Sequence, residues 1–221
     1  MPLDSLAFPL TRQQLLKGKH LIPDFLKVHS LDMDVWDDGF KGDLFFGGTA
    51  PGVYQTTASG ANSVAAAIST GAVGGKIRLD PGDANAGRCD LSLGLHYTTS
   101  RNVTVWWRVT LPSAITSMKF ELGLTDVISG TDAGAVNSKS GNTFTATDCT
   151  VLCFDTSDDT RLTLMSANGG GTAATVYDFN TALAAATDYY FGISTVGTRS
   201  MGFLLEANAN LIEESTWQES A

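Results

Sequence analysis

Residues 102–111, NVTVWWRVTL, constrain the fold more than any other part of the chain. Val103, Val105, Trp107, Val109 and Leu111 alternate with Thr104, Trp106, Arg108 and Thr110. Successive side chains of a strand point to opposite faces, so a period of two over ten positions marks a half-buried β-strand. Met118, Phe120, Leu122 and Leu124 repeat the pattern against Lys119, Glu121, Gly123 and Thr125. Leu91, Leu93, Leu95 and Tyr97 repeat it against Ser92, Gly94 and His96. Further strands are expected around 76–79, 147–154, 162–166, 175–179, 189–193 and 202–207, while the short apolar run 63–70 reads equally as helix or strand. Residues 129–142, SGTDAGAVNSKSGN, and 167–173 read as exposed loops.

Roughly eight to twelve short strands with Gly-rich joints predict an all-β fold, a two-sheet antiparallel β-sandwich. The 23 glycines suit this, since many tight turns need positive φ. A length of 221 residues is ordinary for one such domain. The division expected is an N-terminal arm over 1–50, with short helix after Thr11 and after Pro23, and a sandwich over 51–221. The arm has too few apolar residues to bury a core of its own. Its large apolar side chains, Leu15, Leu16, Phe25, Trp36 and Phe40, are candidates for partner contacts.

The formal charge of -9, with only 14 scattered Lys and Arg, argues against a nucleic-acid partner. No apolar run approaches the ~18 residues of a membrane helix, and the first residues, MPLDSLAFPLTRQQ, lack the pattern of a secretory signal. The three cysteines, Cys89, Cys149 and Cys153, are expected reduced and buried. A metal pair at Cys149 and Cys153 would need further ligands, and His20, His29 and His96 show no zinc-like spacing.

Catalysis finds little to work with. A retaining glycosidase needs two carboxylates ~5 Å apart. Glu121 is followed on its own face by Gly123 and Thr125, and Glu206 by Asn208, so neither has a partner on its strand. No G-x-S-x-G elbow or phosphate loop occurs. Asp155, Asp158 and Asp159, and likewise Asp37 and Asp38, either donate oxygens to calcium or serve turns; the EF-hand spacing is not met. The expectation is no catalytic, cofactor or metal residue.

Trp106 is the remaining functional candidate. It alternates with Trp107, so it faces away from the core that holds its neighbour. An indole there stacks on a sugar, buries in a partner interface, or is covered by the chain's own arm. Tyr54 and Tyr97 are companions for the sugar reading.

The pieces NVTVWWRVTLP, MKFELGLTDV, CTVLCFDTSDDTRLTLMSANGGG, DYYFGI and MGFLLEANANLI follow one another between about residues 52 and 212. In that order they resemble the concanavalin A-like (laminin-G-like) sandwich of tailed-bacteriophage structural proteins. The metal residues of legume lectins and the acids of glucanases do not map onto this sequence. The resemblance implies a jelly roll and a virion component made in the host cytoplasm. Its role would be capsid decoration or a head or tail accessory, binding neighbouring capsid or tail subunits. A homo-oligomer, a trimer by analogy, is implied with it. A host-surface glycan is the alternative ligand.

Overall fold

Alternation along the chain is realised as antiparallel sheet, and the described residues contain no helix. The computed structural model describes residues 55–59, 64–68, 77–81, 87–92, 102–127, 134–169 and 175–219. All of them belong to one unit, Gly39–Ala221. The expected arm, with Leu15, Leu16, Phe25, Trp36 and Phe40, lies outside the described residues, as do Tyr54, His96 and Tyr97.

Four short strands come first: β1 (Gln55–Ser59), β2 (Val64–Ile68), β3 (Ile77–Asp80) and β4 (Arg88–Ser92). β1 pairs with β4, and β2 with β3. The ambiguous run 63–70 is therefore strand. The main body follows, as β5 (Thr104–Thr110), β6 (Lys119–Thr125), β7 (Val136–Ser138), β8 (Thr143–Phe144), β9 (Cys149–Asp155), β10 (Arg161–Ala167), β11 (Thr175–Ala182), β12 (Asp188–Val196), β13 (Arg199–Glu206), β14 (Leu211–Glu214) and β15 (Gln218–Glu219). One sheet has four strands in the order β11-β10-β9-β6. The other has five, β14-β13-β12-β5 with β15 also on β13.

The two sheets share one core, which makes the arrangement sandwich-like. The four-stranded sheet contributes Phe120, Leu122, Leu152, Phe154, Leu162, Leu164 and Phe179. The five-stranded sheet contributes Trp107, Val109, Tyr189, Phe191, Ile193 and Leu204. Phe120 stacks on Phe154 within its own sheet, at 5.0 Å between ring centroids, and meets Phe191 of the other sheet edge-on at 5.8 Å. Burying each such Leu or Phe is worth about 1.5–3 kcal/mol, so these inner faces dominate the stability of this region. Buried hydroxyls also cross the gap. Thr150 Oγ1 lies 3.2 Å from Ser166 Oγ, which lies 2.8 Å from Ser200 Oγ of the opposite sheet.

One expectation is corrected. The sequence of 129–142 predicts an exposed loop; its described part, 134–142, instead turns back with 143–148 onto the outer face of the four-stranded sheet. β7 and β8 form a small hairpin there, and Ala135, Val136 and Ala146 are buried against Cys149, Val151, Cys153, Met165 and Ala167. Small apolar side chains on both surfaces let the segment lie close to the sheet, and their scatter among Ser, Gly and Asn hid them from a periodicity reading.

Candidate functional site

The acids picked out by sequence are occupied in different ways. Glu121 projects from β6 onto the outer face, under the 134–148 segment. Its carboxylate accepts the N–H of Ala135 at 2.6 Å and of Val136 at 3.3 Å, and lies 3.1 Å from Lys119 Nζ. A strand carboxylate here satisfies backbone donors that would otherwise be buried without a partner. Glu206 is exposed at the end of β13, where Asn210 Nδ2 approaches its carboxylate at 3.5 Å. It lines an open depression of about 500 Å3 together with Asp188, Tyr189, Asn208 and Ile212. Asp188 in turn is held by Arg108 at 2.8 Å and by the Thr110 hydroxyl.

The Asp-rich turn after β9 is also resolved. Asp155 accepts the N–H and hydroxyl of Ser157, at 2.9 and 2.7 Å, which makes it a turn residue. Asp158 and Asp159 face Lys139. The Lys139 side chain is 3 % exposed, and its ammonium contacts Asp159, reaches Asp158 at 3.8 Å and donates to the Arg161 carbonyl at 2.9 Å. The cation at this turn is thus a lysine ammonium supplied by the covering segment. Burial acts against the Asp159 carboxylate, yet Lys139 and the Arg161 N–H hold its pKa below the ordinary aspartate value. Among the described residues no group of three or more His, Cys, Asp or Glu is placed to hold a metal.

Cys149 and Cys153 lie buried beneath the same segment, and Cys89 is half-buried; all three are free thiols. Burial, with smaller contributions from nearby carboxylates, pushes Cys149 and Cys153 up to about 12 and Cys89 up to about 11. Thiols so far from ionising are poor nucleophiles at neutral pH.

Trp106 faces away from the main core, as its position beside Trp107 predicts. The outer face of the five-stranded sheet places Arg108 across from Tyr190 and Tyr190 across from Leu205. Beside them, Trp106 is across from Gly192 and Gly192 across from Phe203. The indole lies flat over Gly192: a Cβ there would sit 2.6 Å from its Cε3 carbon. Its ring packs against Phe203 at 5.5 Å, and the Arg108 guanidinium lies 5.7 Å from the Tyr190 ring centre. Tyr190, Phe203 and Leu205 are 7, 3 and 1 % exposed. Along the sheet's margin, by contrast, Leu211 is 49 % and Trp217 46 % exposed. Trp217 owes its position to a one-residue bulge. Ser215 pairs with Gly202 and Gln218 with Ser200, so Thr216 and Trp217 both stand opposite Met201.

One polar cluster escaped the sequence reading. Strand β11 bulges, its pairing jumping from Asp178 to Ala182 against Thr163 and Arg161, which frees the N–H groups of Asn180 and Thr181. Glu213, on β14 of the other sheet, accepts both, at 2.9 and 3.1 Å. It also accepts the Asn180 amide at 3.0 Å, the Thr181 hydroxyl at 3.1 Å and Tyr177 OH at 3.4 Å. Burial opposes the charge, but these donors hold its pKa below the usual glutamate value. A bulge leaves no alternating signal, so no sequence pattern announces the pairing.

No protein-family model matches the chain, and neither does any curated protein or solved structure.

Proposed function

We propose that the protein is a non-enzymatic structural component of a virion, a capsid decoration or head or tail accessory protein of the tailed-phage type. In this reading the fold is a concanavalin A-like jelly roll, and the protein works by packing against neighbouring capsid or tail subunits. The observation that carries the reading is the outer face of the five-stranded sheet. Trp, Tyr and Arg dominate the centres of protein interfaces, and Trp106, Tyr190 and Arg108 are gathered there. The Arg108 side chain is 49 % exposed at one edge of this sheet, and Leu211 and Trp217 are exposed at the opposite edge. The use of Glu121 as a cap for backbone N–H groups supports a scaffold role for that acid. The expected homo-oligomer and the docking of residues 1–50 belong to the same proposal.

The test is co-sedimentation of Arg108→Ala and Trp217→Ala with the particle the protein copurifies with. Association weakened by about tenfold or more in both supports the reading. Full association by both removes this face from the interface. Limited proteolysis complements it, since an assembly arm is clipped between residues 1 and 50 when free and protected on the particle.

The second reading, a carbohydrate-binding module, draws on Trp217, whose open indole suits stacking on a sugar ring. Glycan-array binding abolished by Trp217→Ala favours it over the first.

A further inference from the structure

Strands β14 and β15 differ from the strands they adjoin. β13 buries five of its eight residues, whereas β14 and β15 have only exposed and half-buried ones. Between them Ser215 is buried, with its Oγ accepting the Gly202 N–H at 2.9 Å. Otherwise β14 and β15 pair only along the outer edge of β13, Ile212 packs half-buried against the core, and the Arg199–Glu219 ion pair has side chains 60 and 54 % exposed. Exposed ion pairs contribute little. A segment with few buried apolar contacts and open backbone hydrogen bonds opens at a free energy below that of the core.

The turn that leads into this segment is strained. Ala209 sits at φ 67°, in the left-handed region that a side chain disfavours. The turn is closed by Ala209 N–H to Glu206 O and Glu206 N–H to Asn210 O, both 2.9 Å. Among the described residues, the polar tie from β14 to the opposite sheet is Glu213, with its donors on Tyr177, Asn180 and Thr181. Hydrogen bonds to a charged acceptor are the strong ones, and here they converge on one side chain.

We propose that residues 210–219 form a strap that opens as one unit, hinged at the Ala209 turn, and that Glu213 is the latch holding it across the two sheets. Opening bares the edge of β13 from Arg199 to Leu205 and returns the Asn180 and Thr181 N–H groups to solvent. Glu213 is a positioning residue in this scheme, and it acts whatever the protein binds.

Native-state hydrogen exchange on the full chain tests the proposal, comparing wild type, Glu213→Gln and the exposed neighbour Glu214→Gln. In Glu213→Gln, amides of 211–219 and of Asn180 and Thr181 should exchange about ten- to a hundredfold faster, as loss of charge-assisted bonds requires. Amides of Phe191 and Ile193 should keep their rates, and Glu214→Gln should match wild type throughout. Acceleration confined to Asn180 and Thr181 overturns the proposal, because Glu213 then only caps a bulge. Equal acceleration in every strand overturns it too, as does no change. Should Glu213→Gln fail to fold, wild type decides alone: under increasing urea, 211–219 must open before Phe191 and Ile193. A common opening energy for both rejects the strap.

Discussion

The two sheets share a core but finish their outer faces in opposite ways. On the four-stranded sheet, Cys149, Val151, Cys153, Met165 and Ala167 are covered by a nearby stretch of the same chain, through Ala135, Val136 and Ala146. Charged side chains fasten the cover: Glu121 from the sheet caps its N–H groups, Lys119 beside it donates to the Val136 carbonyl, Asp126 accepts the Thr147 N–H, and Lys139 from the cover reaches the turn after β9. On the five-stranded sheet the face is built of large rings, Trp106, Tyr190 and Phe203, with Arg108 beside them. Small residues suit a face that receives backbone at close range, and rings suit one that receives other side chains. The first face is thus finished by local folding. The second is finished by packing of large side chains, with Tyr190, Phe203 and Leu205 buried there.

Glycine substitution separates the two faces most sharply. A Cβ on Gly123 of β6 would meet the Thr150 carbonyl and lie 2.7 Å from the Val151 Cα, so the strands themselves must part. Gly123→Ala should cost about 3 kcal/mol or more, read from urea unfolding. A loss below about 1 kcal/mol would mean that the four-stranded face has slack that close packing forbids.

The fastening of the cover comes next. Lys139→Ala leaves Asp159 and the Arg161 carbonyl without their cation, and should cost about 2 kcal/mol. That is less than a fully buried pair, because Asp158 and Asp159 are 32 and 44 % exposed. Cys149 and Cys153 report the same event independently, and should gain reactivity toward a thiol reagent at pH 8. Unchanged reactivity would detach Lys139 from the role assigned to it.

On the other face, the obstacle to a Cβ at Gly192 is the Trp106 ring, the end of a side chain that can swing away. Gly192→Ala should therefore cost only about 1 kcal/mol while changing the near-ultraviolet dichroism of the indole. A cost equal to that at Gly123 would erase the distinction.

Acid gives the smallest effect. The Asp159 carboxyl is held below its ordinary pKa when folded, so its contribution is complete above the unfolded aspartate range, about pH 4, and lost as pH falls through the folded value. Stability should fall less steeply with acid in Asp159→Asn than in wild type. Amide exchange in 134–148 should rise before that of Phe191 and Ile193, and the reverse order would place the acid-sensitive fastening elsewhere.

How much of this the sequence announces depends on the kind of signal. The alternation over 102–111 assigns Trp107 and Val109 to the core and Trp106 to the opposite face, and the molecule has them so. The cover was missed because three small apolar residues among Ser, Gly and Asn have no period, and because lysine is exposed by default. Glu213 was missed for a different reason. Its value depends on a bulge in a strand of the other sheet, and local patterning carries no word of that.

The Thr150–Ser166–Ser200 hydroxyls have a consequence for folding itself. Two greasy sheets can slide over one another at small cost, since Leu on Phe is nearly as good one notch along. Hydroxyls are less forgiving: shifted by one notch, they face methyl groups in the dark and lose their partners. These three side chains thus act as a registration mark between the layers, admitting one alignment of the stack and penalising its neighbours.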